Sequence, residues 1–413
     1  METERLALML QLRKSFEREV VAAMGIQPCN EMLNAWLFVQ LARSHSAGLV
    51  TDEYLFVPLE PLSERIDATS PLAKYVTRMI DREQAAAALK AATKLADEEP
   101  PQKTTASTLQ GLDVAAVATR LDGWLRRQWT ETRRLLATRA MLGEGAGSAA
   151  PVVCSSAKDD GSAYTVRLDP PPRGQQSSHT INGRTLAKLR RGYVGEAASF
   201  DMLLWRLLHR YSAFFGPHAG EGAGWQLATP PAAMEALTSD LGVDTECFAS
   251  PLNRHQPRFY SAFPDTDAPF GSRGNFFSAE LRLSSAEAGP PYDLELMEMM
   301  MTRLTALLDA QTEPLSVVLV VPDWRTPPAP FWRAIMESRH LVRAHSLPKE
   351  RHKYVSGRQH TLPAARKNSG YELGETATLL AWLQNEAGRA KWPVTVDVVR
   401  RQAEAWDVSE CTL

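Results

Sequence analysis

The residues best suited to chemistry are Gly289-Pro290-Pro291-Tyr292. Two consecutive prolines fix the backbone and leave the Pro290 carbonyl free as an acceptor, while the tyrosine offers a flat face for stacking. Such a group suits the exocyclic amino group of an adenine, whose lone pair is delocalised into the ring. Hydrogen bonds accepted from the amino group by a side-chain oxygen and a prolyl carbonyl help to localise that pair, and the aromatic ring holds the base. Gly289 supplies no side-chain acceptor. Losing one preorganised hydrogen bond of this kind would cost roughly 3 kcal/mol, or about a hundredfold in rate. Restoring it by Gly289→Asn is the substitution the sequence suggests for raising turnover. The tetrapeptide also reads as a plain Pro-Pro turn after a strand.

Three further groups bear on ligands. Gly220-Glu221-Gly222-Ala223-Gly224 has the glycine content that lets a backbone approach a nucleotide-like cofactor, so Glu221, Gly222 and Gly224 are candidate cofactor residues. The same string recurs at residues 143–147 with no strand before it, which shows how weak the pattern is alone. Ala249-Ser250-Pro251-Leu252-Asn253 closes a strand candidate around Cys247 and Phe248. Open α/β sheets bind ligands at such strand ends, so Ser250, Pro251 and Asn253 join the cofactor candidates, with a simple turn cap as the other reading of Asn253. Residues 339–360 hold six Lys/Arg and four His against one acid, Glu350. That charge suits phosphate contact or a solvated loop.

These groups need elements to position them. Leu6, Met9, Leu12, Phe16, Val20 and Met24 recur at helical spacing, and so do Met32, Trp36, Leu37 and Leu41. Residues 71–98 and 112–141 also predict helices, the latter with Arg126, Arg127, Arg133, Arg134 and Arg139 on a solvated or phosphate-facing side. Residues 143–178 are rich in Gly, Ala, Ser and Pro and read as a loop or linker. A helix over 197–214 precedes an alternation of short apolar strands and helices, the pattern of an α/β sheet. Cys247–Ala249, Leu315–Val321 and Thr376–Trp382 are the strands; Met234–Leu241, Leu294–Leu308 and Phe331–Ser338 are the helices. The nearly all-apolar run from Leu315 to Val321 suits a strand buried on both faces.

The chain has 413 residues and a formal net charge of -2, so two domains are expected and any nucleic-acid binding must come from local basic patches. Cys29, Cys154, Cys247 and Cys411 are widely separated, which argues against a zinc site or disulfide framework and fits a reducing compartment. No apolar run approaches the ~20 residues of a membrane span, so a soluble intracellular protein is expected.

Several blocks together resemble the phosphorylated CTD-interacting factor family of cap-specific adenosine N6-methyltransferases. They are Phe215-Gly216 with Glu221 to Gly224, Glu246 to Asn253, Ser261 to Asp267, and Phe270 to Gly274. Further on come Pro322 to Arg325 with Pro327-Pro328, Tyr354 to His360, Leu383 to Asn385, and Ala390 to Trp392. The tetrapeptide at 289 stands where amino-group methyltransferases carry [Asp/Asn/Ser]-Pro-Pro-[Tyr/Phe/Trp], the family's own form being Asn-Pro-Pro-Phe.

The resemblance implies an α/β fold with a Rossmann-like class I methyltransferase core behind an α-helical domain. It implies S-adenosylmethionine as donor and the adenosine beside the cap of an mRNA 5′ end as substrate. It maps the acceptor-gripping motif, and so catalysis, onto Gly289, Pro290, Pro291 and Tyr292; the basic segment and the flanking blocks offer Arg273, Arg325, Arg351, Lys353, Tyr354, Arg358 and His360 as RNA contacts, and no metal is expected. The expected division is 1–142 helical, 143–180 linker, 181–400 methyltransferase and 401–413 tail. No WW module with its paired tryptophans precedes the core, so binding to RNA polymerase II tails is not expected. A protein partner is left open, a nuclear location is favoured over a cytoplasmic one, and a capped-RNA-binding protein without catalysis is the alternative.

Overall fold

The computed structural model of the chain describes residues 2–26, 31–49, 112–141, 152–156, 162–169, 178–215, 223–361, 370–374 and 376–407, and all but 71, 78 and 82 of residues 70–84. It separates into two compact units, 1–147 with 216–221, and 148–215 with 222–413. No helix among the described residues is long and apolar enough to cross a membrane.

The first unit is helical: α1 (Glu2–Met24), α2 (Glu31–Ser46) and α3 (Val114–Met141). Met9, Leu12, Phe16, Val20 and Met24 are all buried, so the i, i+3, i+4 spacing does define one inward stripe of α1. Asp122 accepts a hydrogen bond from the indole of Trp36 at 2.7 Å and another from Arg126 at 2.6 Å. Arg134 pairs with Glu131 on the exposed side. Arg126 is thus drawn into the interior of the helical unit, whereas Arg134 is paired at the surface, so the solvated reading fits Arg134 and not Arg126.

The second unit opens with β1 (Val152–Ser156), β2 (Ala163–Leu168) and β3 (Ser178–Asn182), an antiparallel sheet in that order. These strands lie within the stretch expected as loop or linker. Val166 and Leu168 turn inward around exposed Arg167, a period of two too short to stand out among so many small residues. The Asn182 side chain caps α4 (Gly183–Gly192) by accepting from Thr185 N, and α5 (Phe200–Phe215) follows. α5 is held by buried Arg210, whose guanidinium donates to both carboxylate oxygens of Asp265 at 2.9 and 2.7 Å.

The rest is α6 (Pro231–Leu241), β4 (Thr245–Ala249), β5 (Arg258–Ser261), β6 (Ser285–Ala288), α7 (Leu294–Ala310), β7 (Ser316–Pro322), α8 (Pro330–Met336) and β8 (Leu341–Leu347). Then come β9 (Lys353–Val355), β10 (Tyr371–Leu373), β11 (Thr378–Gln384), α9 (Glu386–Lys391) and α10 (Val396–Trp406). Six strands form one sheet in the order β5-β4-β6-β7-β11-β8. β5, β4, β6 and β7 are parallel, and β11 runs antiparallel to both its neighbours. The chain is thus α/β with a mostly parallel central sheet and helices at the N-terminus. All seven residues of β7 and all seven of β11 are buried, the outcome expected of interior strands covered on both faces.

From β4 the chain steps to β5 on one side, then returns to place β6 on the other side of β4. The strand order reverses between β4 and β6, and their carboxyl ends are where an open α/β sheet presents its ligand crevice.

Candidate active site at the strand-order reversal

Gly289-Pro290-Pro291-Tyr292 leaves β6 directly and ends at Asp293, whose carboxylate caps α7 by accepting from Glu295 N and Leu296 N. Ser250 to Asn253 leaves the adjacent β4. The plain-turn and ligand-loop readings meet in Asn253: its Oδ1 accepts from Ser250 N at 2.7 Å and Ser250 Oγ at 2.9 Å, folding the turn. Its Nδ2 donates to the Gln226 carbonyl at 3.2 Å. Both ends of this amide thus shape the loop, and Ser250 is buried within it.

That contact draws in the segment after the glycine run. Glu221 and Gly222 lie outside the described residues, while Gly224 is exposed in a short helical turn, Ala223–Gln226. The segment then bridges Ala228 to Val355 of β9 and brings Thr229 Oγ1 within 3.3 Å of Glu287 Oε1. Gln226 Oε1 is buried with no hydrogen-bond partner among the described residues. A buried orphan acceptor is costly to maintain without a donor, so this oxygen marks a place for a ligand group.

Tyr292 is anchored by a polar chain. Its hydroxyl shares a 2.5 Å hydrogen bond with that of Tyr354, which shares another of 2.5 Å with Thr378 Oγ1, and Thr378 lies 2.8 Å from His352 Nε2. The direction follows from the far end. His352 Nδ1 sits 2.7 Å from the Pro348 carbonyl, which can only accept. His352 Nδ1 must therefore donate, and burial, which pulls this imidazole below its usual range, keeps it neutral. Nε2 then accepts from Thr378, Thr378 from Tyr354, and Tyr354 from Tyr292. Burial pushes the Tyr292 hydroxyl up to about 12, so it remains a donor.

Tyr354 is consequently not a surface contact for RNA as its place in the basic segment suggested. It is buried, and it positions Tyr292. His360 departs similarly: burial, then Lys188 and Arg358, pull its imidazole down to about 4, so it is neutral near pH 7 and unsuited to pairing with phosphate. The other basic candidates are dispersed. Arg351 is exposed, 4.0 Å from Asp407; Lys353 and Arg358 are half-buried; Arg273 is exposed after β5; Arg325 pairs with Asp323 beyond β7.

Sequence reasoning missed several residues here. Lys188 of α4 donates to the carbonyls of Leu252 at 2.9 Å and Arg254 at 3.1 Å, fastening the loop after β4. Burial, then Arg254, pull its ammonium down to about 8. Glu246 and Glu287 pair across β4 and β6, both buried. Burial pushes Glu246 up to about 7 against opposing hydrogen bonds from Gln256 N and His255 N. A glutamate two residues before the tetrapeptide, on the same strand face as residue 289, was the available signal for Glu287.

With this geometry in place, comparison with known proteins bears on the same region. Residues 188–357 match the family model described as phosphorylated CTD interacting factor 1 WW domain. That description runs against the expectation that no WW module is present, and the ground for dismissing polymerase-tail binding falls with it. The human protein named mRNA (2'-O-methyladenosine-N(6)-)-methyltransferase is 39% identical over 203 residues, 49% of this chain and 28% of the relative. The mouse protein of the same name is 38% identical over 206 residues, 50% of this chain and 29% of the relative. The match thus spans less than a third of these relatives' length. The family-model match takes in the strand-order reversal, the tetrapeptide and most of the basic segment, and over these residues the chain is similar to the phosphorylated CTD interacting factor family.

Proposed function

We propose that this chain methylates N6 of the adenosine next to the cap of an mRNA, with S-adenosylmethionine as donor, on a Rossmann-like class I methyltransferase sheet. The observation that carries the reading is the placement of Ser250–Asn253 and Gly289–Tyr292 on adjacent parallel strand ends at the strand-order reversal. The names of the human and mouse relatives support the substrate. A nuclear site of action belongs to the same proposal.

The residues present fit the donor. Gln226 Oε1 offers an unmatched buried acceptor, and the Ser250–Asn253 turn holds the neighbouring backbone rigid. When bound, S-adenosylmethionine supplies a sulfonium-linked methyl group open to attack by a nitrogen lone pair. The chain's own part is to hold the adenine against Tyr292, to accept from its amino group at the Pro290 carbonyl, and to exclude water from the crevice. Incubation of capped, adenosine-initiated RNA with protein and labelled donor, followed by mass spectrometry of the first nucleoside, is expected to show N6-methyladenosine. No label on RNA that demonstrably binds would sink the reading.

Two substitutions test its parts. Asn253→Ala removes the amide that ties Ser250 to Gln226, and is expected to weaken donor binding about tenfold, the worth of one to two net hydrogen bonds. Calorimetry reads this directly; unchanged affinity would take the loop out of the donor site. Arg351→Ala with Lys353→Ala is expected to weaken binding of capped RNA and lower its salt slope by about two, one for each phosphate no longer neutralised. An unchanged slope would return these side chains to solvent.

A further inference from the structure

Gly289 follows β6 at a position whose side chain would share a face with Glu287, because side chains alternate along a strand. The room left by the glycine is already taken. A Cβ built on Gly289 would lie 2.7 Å from Glu287 Oε1 and 3.7 Å from Val320 Cβ. The Glu287 carboxyl therefore stands where a residue-289 side chain would begin. Its one hydrogen bond among the described residues is the long 3.3 Å contact from Thr229. The titratable groups facing it are Glu246 and Cys247 on β4, Tyr292, and Tyr354 on β9, and no cation is among them. A carboxyl in such surroundings is costly unless something else uses it.

We propose that Glu287 replaces the absent side chain at 289, its carboxyl oxygen accepting a hydrogen bond from the adenine amino group held by Pro290 and Tyr292. This rests on the methyl-transfer reading. The amino nitrogen must shed one proton when it gains a methyl group, and ionised Glu287 is placed to take it onto Oε1. Burial, then the charge of Glu246, push this carboxyl up to about 8. Below that pH it is protonated and still accepts through its carbonyl oxygen; above it the carboxylate accepts more strongly and can take the proton. The base form is gained as pH rises through this value, so the rate of transfer should climb from about pH 7 to about pH 9 and then level. The same geometry reverses the expectation for Gly289→Asn: the new Cβ displaces the carboxyl, and transfer should fall.

The test compares binding of capped RNA beginning with adenosine against the same RNA beginning with purine riboside, which lacks the amino group. At about pH 9, where the carboxylate predominates, the unaltered protein is expected to favour adenosine about tenfold, as for one hydrogen bond to a charged group. Glu287→Ala should abolish the preference. Glu287→Gln, of equal size, should keep it through the amide oxygen while flattening the pH profile of transfer. An undiminished preference in Glu287→Ala, or an unchanged pH profile in Glu287→Gln, overturns the proposal. Failure of the underlying reading looks different: a protein that prefers adenosine but labels no RNA leaves Glu287 as an amino-group acceptor and removes the transfer, and one that binds neither RNA removes both.

Discussion

Alanine at Tyr292 is expected to lower methyl transfer to adenosine-initiated RNA by about tenfold to a hundredfold, the range for losing one aromatic platform under a base. The expectation rests on how firmly the ring is fixed. Its hydroxyl is the first donor in a chain running through Tyr354 and Thr378 to a neutral His352, and its ring meets that of Tyr354 edge-on at 6.4 Å. A ring held this way loses little freedom when a base settles on it. Tyr292→Phe keeps the platform and loses one donor, so it should retain activity within about tenfold. Single-turnover label transfer separates the two variants. Full activity in Tyr292→Ala would mean that the base is held elsewhere.

The second large effect concerns stability. Asp265→Ala should lower unfolding free energy by about 3–5 kcal/mol, since removing one partner leaves the other charge buried and undercompensated. Arg210 has no exposed side-chain surface and meets both oxygens of Asp265. It also lies over the ring of Phe263, 5.5 Å from its centroid. The pair joins α5 to the segment following β5, next to a second buried contact in which Tyr211 donates to Asp267 at 2.7 Å. Urea unfolding of the whole chain would register the loss as a lower midpoint. A shift equivalent to less than about 1 kcal/mol, the value of an exposed pair, would show that the guanidinium is satisfied by other groups.

What was legible in the sequence follows from what each element shows to water. β7 announced itself because both its faces are buried, leaving an unbroken apolar run. α7 was readable from its apolar residues every three or four positions, whereas its Asp293 cap emerged only with the structure. β11 lies two residues later than its apolar run suggested, because buried Gln384 closes it with bonds to Ser316 Oγ and the Trp392 carbonyl. β5 and β6 were not readable: Arg-Phe-Tyr-Ser and Ser-Ala-Glu-Ala are short and partly polar, and only their neighbours make them strands. The tetrapeptide and the turn after β4 stood out by residue type, whereas their adjacency depends on strand order, which no local pattern encodes. Tyr354 was misjudged for a related reason. It sits among cations in the chain, but alternation along β9 turns it inward between Lys353 and Val355.

The reversed strand also constrains the order in which the sheet can be completed. β8 has β11 as its only neighbour in the six-stranded sheet, yet β11 is made after it. A chain emerging from the ribosome can pair β4 to β7 as they appear, but β8 has no edge to join until residue 384 is clear. Until then Leu341–Leu347 is a strand in waiting, and the exposed edge of β7 is open to the wrong partner.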